Sequence, residues 1–171
     1  LGLMLADTAH AKEKKAPPKP PNVMSPDAAL KRLMEGNARY VGGKSKLHDF
    51  KHEREALVGG QNPYAAVLSC ADSRIAPEYA FDSARGDLFV CRVAGNFAND
   101  DTVASMEYGV AVLGVPVILV LGHDSCGAVD ATIKALKDNK PLPGHIPSLV
   151  AALTPAVKAS AQQSGNPLDN A

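Results

Sequence analysis

Two short stretches of this chain bring together residues that can hold a metal and steer a proton: Cys70-Ala71-Asp72-Ser73-Arg74 and His123-Asp124-Ser125-Cys126-Gly127. Two thiolates and an imidazole suit zinc, which takes Cys sulfur at about 2.3 Å and His nitrogen at about 2.0 to 2.1 Å in a tetrahedron. Cys70, His123 and Cys126 fill three positions and leave the fourth to water or to the carboxylate of Asp72, two residues after a ligand. An open position marks a catalytic zinc. A structural site usually draws all four ligands from Cys and His, and is the competing reading here. A lone Cys at the end of a strand is more often a small core residue, so the weight lies on the two stretches occurring together. Asp72 and Arg74 form a natural pair. Held by Arg74, the Asp72 carboxylate stays ionised and turned from the metal; released, it favours direct ligation. An exposed ion pair alone contributes little, so its place beside a metal ligand gives it meaning. Cys91 is expected as a buried thiol in mid-strand, and His10, His48, His52 and His145 as ordinary surface histidines.

Elements must then carry both stretches to one place. Three short apolar runs, Tyr64 to Ser69, Leu88 to Val93 and Val115 to Leu121, read as strands. They are apolar at nearly every position, which suits a parallel sheet covered on both faces. Helical patterns at Thr102 to Leu113 and Ala128 to Lys137 give a β-α-β-α order with right-handed crossovers. The fold class is therefore α/β, a mainly parallel β-sheet flanked by α-helices. Both chemical stretches directly follow a strand, where open parallel sheets place their ligands. They lie 53 residues apart with a strand between. Ser25-Pro26-Asp27 signals a helix start, and Leu30, Leu33, Met34, Asn37 and Val41 keep helical spacing until Gly42-Gly43. A surface connection follows, with a helical patch at Glu53 to Val58, and a last helix is expected over Pro147 to Gln163, above the site.

The chain has 171 residues, 46% of them apolar, and 18 basic against 18 acidic side chains. That is enough for one domain, placed at residues 25–171, and gives no basic surplus for nucleic acid. No apolar run reaches the roughly 18 to 20 residues of a membrane-spanning helix. Three cysteines cannot all pair, which argues against a disulfide framework. Residues 1–24 are expected to be a signal-peptide remnant and a disordered Lys/Pro-rich tether. Ala9-His10-Ala11 has the small-x-small form of a cleavage site, which points to a periplasmic or secreted protein, with the cytoplasm as the alternative.

With its motifs CADSR and GHDSCGA, supported by SPDAALKRLMEGNARYVGG, LFVCRVAGNFA and SMEYGVAVLG, the sequence resembles a β-class carbonic anhydrase from about Ser25 to at least Pro147. The resemblance implies Zn²⁺ on Cys70, His123 and Cys126. It also implies that Asp72 accepts a hydrogen bond from zinc-bound water or ligates zinc in a closed state, and that Arg74 holds Asp72. The implied reaction is reversible hydration of CO₂ to bicarbonate and a proton, in a dimer or tetramer with sites at subunit interfaces. Relatives that hydrolyse CS₂ or COS share the zinc site, and an idle zinc-binding structural or partner-binding subunit is the reading from another class. Three features depart from the family pattern. Val67 stands where members with a regulatory bicarbonate site have Trp, although Arg92 resembles another part of that site. Ser83 stands where many relatives have a substrate-binding Gln. Family chains usually continue beyond the position of Ala171 with a further helix and strand, so the domain is expected to be C-terminally short.

Overall fold

β1 (Ala65–Ser69) is the centre of the sheet because every one of its residues is buried, and small or branched apolar side chains tolerate cover on both faces. A computed structural model describes residues 24–138 and 141–161 of the chain. The expected tether, apart from Met24, and the segment after Ala161 lie outside the described residues. Met24 itself packs against the core.

In chain order, α1 (Pro26–Val41) and α2 (Phe50–Ala56) precede β1, and α3 (Pro77–Ala80) separates it from β2 (Leu88–Arg92). α4 (Asp100–Ala111), β3 (Ile118–Leu121), α5 (Gly127–Asp138) and α6 (Ile146–Ser160) complete the order. The sheet is parallel throughout, in the order β2-β1-β3. Ser69 aligns with Arg92 on one side and with Leu121 on the other, so the three carboxyl ends lie side by side. One core cluster joins α1 to the sheet through Ala29, Leu33, Tyr64, Ala65 and Phe81. The other joins α4 through Ala66, Leu68, Met106 and Val115.

The sequence signals at α1 hold in detail. Ser25 Oγ accepts the Ala28 N–H at 3.2 Å, Pro26 occupies the first turn, and Gly42 ends the helix. α4 starts at Asn99, whose side chain accepts the Thr102 amide while Thr102 Oγ1 accepts the Asn99 amide, a reciprocal cap. Elsewhere the boundaries move. β3 starts three residues later than its apolar run, since the Val115 N–H turns to the Gly109 carbonyl and Pro116 has no N–H to offer a ladder. The expected cover on both faces holds for β1 only. Ile118 and Val120 of β3 are 46% and 60% exposed, beside an apolar hollow of about 660 Å³ between β3 and α4. α3 has only four residues, too few for periodicity to reveal.

Candidate metal centre

The turns after β1 and β3 meet at the carboxyl end of the sheet, as the topology requires. Their ligand atoms on Cys70, His123 and Cys126 lie within 4.8 Å of one another, the one such cluster of potential metal ligands among the described residues. Cys70 Sγ and Cys126 Sγ are 3.8 Å apart, far beyond a disulfide bond. Two thiolates bound at about 2.3 Å in a tetrahedron would stand about 3.8 Å apart, so the pair is already spaced for zinc.

The imidazole completes the fit. His123 Nδ1 donates to the Asp124 carbonyl at 2.9 Å, which places the proton on that nitrogen and leaves the Nε2 lone pair free. Among the described residues, Nε2 is the only buried side-chain nitrogen or oxygen without a hydrogen-bond partner. A buried acceptor left unmet is costly, and a metal between it and the two sulfurs would satisfy it. The donor set and its spacing therefore fit zinc.

Local backbone explains how the ligands reach this geometry. Ser125 has a left-handed φ of 55°, a conformation uncommon outside glycine, and it turns the chain from β3 into α5 just before Cys126. The Cys126 carbonyl then accepts the Asp130 amide at 3.0 Å and opens the helix. Cys70 Sγ accepts the Gly95 amide at 3.3 Å. Burial alone would push the Cys70 thiol up, but the amides of Gly95 and Asp72, with His123 and Cys126 beside it, bring it below the usual thiol range. A thiolate is the form that binds metal.

Arg74 holds Asp72. Arg74 Nε donates to Oδ1 at 2.9 Å, Nη2 to Oδ2 at 2.8 Å, and the Arg74 amide to Oδ1 at 2.9 Å. This fork from Arg74 keeps the carboxyl well below the ordinary carboxylate range. Its Oδ2 lies 3.8 Å from His123 Nε2, at the edge of the metal cluster. Arg74 Nη2 also reaches the Ser125 carbonyl at 3.3 Å and so ties the two turns together.

Ser83 is buried elsewhere. Its hydroxyl shares a 2.9 Å hydrogen bond with Tyr64 and donates to the Phe81 carbonyl, and it bonds to no residue of the metal cluster. Cys91 is half-buried against Ala66, Leu68, Met106 and Val115 rather than fully buried. His52 and His145 are exposed as expected, but His48 is not an ordinary surface histidine. Its ring stacks on Phe50 and meets Glu53 at 3.1 Å, both in the helix that follows it. His10 lies outside the described residues. Sequence reasoning missed the Gly95 amide and the Arg92 side chain, which reaches the Cys70 turn; neither contact has a local sequence signal, since both are made across strands.

Residues 65–171 match the family described as carbonic anhydrase. The chain is 45% identical over 135 residues to a carbonic anhydrase of Mycolicibacterium smegmatis, and 45% identical over 134 residues to carbonic anhydrase 2 of Mycobacterium tuberculosis. Each alignment covers 78% of this chain and 65% of the relative, so the chain spans just under two thirds of their length. Among solved structures, that of the β-carbonic anhydrase CcaA superposes with a TM-score of 0.57 at 31% identity, covering 82% of this chain and 71% of the other.

Proposed function

This chain belongs to the carbonic anhydrase family, in its β class, and from that premise we propose that it catalyses the zinc-dependent, reversible hydration of CO₂ to bicarbonate and a proton. The observation that carries the reading is the meeting of three zinc-type ligands with a carboxylate that Arg74 holds ionised at their edge. Cys70 Sγ, Cys126 Sγ and His123 Nε2 would hold the ion and leave one tetrahedral position open. When bound, zinc lowers the pKa of a water molecule to about 7 and so supplies a nucleophile near neutral pH.

The protein residues have distinct tasks. The Asp72 carboxylate accepts a hydrogen bond from the attacking water, which turns the oxygen lone pair toward the carbon of CO₂. Its two oxygens are already engaged by Arg74, so they stay oriented and do not swing to close the fourth position. Arg74 is therefore the latch. His123 keeps its proton on Nδ1 through the Asp124 carbonyl, which fixes the ring plane and the ligating nitrogen. The proton released as bicarbonate forms passes to solvent at this exposed rim, where Ser73 and Asp124 are open to water.

A dimer or tetramer is part of the proposal. Leu47, Val41, Val58 and Tyr79 are 102%, 77%, 81% and 69% exposed, apolar surface that a second subunit would cover. The role of Ser83 in orienting substrate is a proposal from its place in the chain, and its hydroxyl proton must leave the Phe81 carbonyl to be donated to substrate.

Stopped-flow assays of the zinc-loaded protein with CO₂, COS and CS₂ in parallel test the reading. Rapid CO₂ hydration, with slow or no hydrolysis of the sulfur compounds, is expected. Zinc bound stoichiometrically with no turnover of any of the three would leave the idle zinc-binding subunit as the answer.

A further inference from the structure

Arg92 closes β2 directly beside Ser69, the last residue of β1, yet its side chain takes no part in the sheet. Its Nε donates to the Cys70 carbonyl at 2.9 Å. Its Nη2 donates to the carbonyls of Asp72 at 2.7 Å and Ile75 at 2.6 Å. All three acceptors belong to one turn, the turn that carries the first zinc-type ligand and the Asp72–Arg74 pair. Beyond β1 that turn has few backbone ties of its own. The Ala71 amide reaches the Val93 carbonyl at 3.1 Å, and the Ile75 amide reaches the Asp72 carbonyl at 3.1 Å. A guanidinium is a rigid planar fork, so one side chain that meets three carbonyls fixes their relative positions as well as their number. Charge-assisted hydrogen bonds of this kind are about twice as strong as neutral ones.

We propose that Arg92 is a positioning residue, a clamp on the backbone of residues 70–75 that sets where Cys70 Sγ and the Asp72 carboxylate stand relative to His123 and Cys126. It touches neither metal ligand atom nor substrate. Three of its N–H directions are committed to protein carbonyls, which gives it a use other than the anion-binding one that its place in the sequence resembles. The clamp rests on the reading of the cluster as a metal site and does not depend on which substrate is turned over.

Two variants of the zinc-loaded protein, Arg92→Ala and Arg92→Lys, test it. Lysine keeps the charge but offers one nitrogen in place of the fork, so both are expected to behave alike. Amide hydrogen exchange at Ala71, Arg74 and Ile75 should accelerate at least tenfold, with the amides in the middle of α1 unchanged. The dissociation constant for zinc, measured by competition with a chelator, should rise about 10- to 100-fold. In the cobalt-substituted protein, the visible absorption bands should broaden or shift. These readouts do not require catalysis. If the parent fails to hydrate CO₂ while they change as described, the clamp stands and the proposed reaction falls. Unchanged exchange and unchanged cobalt bands in both variants would overturn the clamp, whatever the activity. Full recovery by Arg92→Lys would do so too, since it would reduce the role of Arg92 to charge. Should Arg92→Ala not fold, Arg92→Lys alone carries the same comparison.

Discussion

Arg74 does two jobs with one guanidinium, holding Asp72 through both carboxylate oxygens and reaching across to Ser125. Arg74→Ala should therefore release Asp72 toward the cluster and lower the hydration rate about 10- to 100-fold, the usual effect of removing a partner that orients a metal site. X-ray absorption at the zinc edge should then show the carboxylate in place of water as the fourth ligand at rest. An unchanged rate would refute the latch. A second carboxylate matters for stability rather than chemistry. Burial would raise the pKa of Asp82, but Arg39, the Lys46 amide and the charges of Arg39 and His48 outweigh it and bring it below the ordinary 3.8. A carboxylate with a depressed folded pKa adds stability that is complete above the unfolded value and is lost as pH falls through the folded one. Asp82→Asn should thus cost about 2 kcal/mol in urea unfolding at pH 7, the scale of a hydrogen bond to a charged group, and the gap to the parent should narrow below about pH 4. At this scale the sequence was readable wherever residue types and local spacing carry the chemistry, as in Cys70, Asp72 and Arg74. It was silent on Arg39 with Asp82, 43 residues apart, whose meeting depends on how α1 lies over α3.

Between elements, the close approaches are made at glycines. A Cβ on Gly95 would stand 2.7 Å from Leu153 Cδ1, and its φ of 84° disfavours any side chain. Leu153 belongs to α6, so this helix presses on the backbone whose amide meets Cys70 Sγ. Gly95→Ala should lower stability by about 1 to 3 kcal/mol through strain and overpacking. It should also weaken zinc binding, read by chelator competition. Adding Leu153→Ala should relieve the clash but not the backbone strain, so a full rescue would contradict this account of the position. Gly36 makes a harder contact, where a Cβ would fall 1.9 Å from the Phe81 carbonyl, an atom that cannot move aside as a side chain can. Strand identity, strand order along the chain and most helices followed from apolar runs and caps. That β3 has a strand on one side only among the described residues, and that its Ile118 and Val120 are exposed, did not, because a run that is apolar throughout says neither how many neighbours it has nor what covers its faces. Val67 is fully buried in the central strand.

The molecule as a whole unites a closed site chemistry with a surface that is not closed. Large apolar side chains on α1 and on the connections around α2 are open to solvent, which under the proposed function is the surface of a subunit rather than of a free monomer. Sedimentation at micromolar concentration should give at least twice the mass of one chain, and a strictly monomeric protein that is fully active would contradict the proposed assembly. Export is proposed from the residues Ala6 to Lys12, with their Ala9-His10-Ala11 pattern, and fractionation of the source cells decides it. Under the proposed function Cys70, His123 and Cys126 hold one zinc ion per chain, and CO₂ hydration requires it. The direct measurement is stepwise addition of zinc to the metal-free protein while initial hydration rates are followed by stopped flow with a pH indicator. A linear rise that breaks at one equivalent per chain is expected, abolished in Cys126→Ser. Hydration that is independent of zinc, or one tightly bound equivalent with no hydration at any pH from about 6.5 to 9, would contradict it.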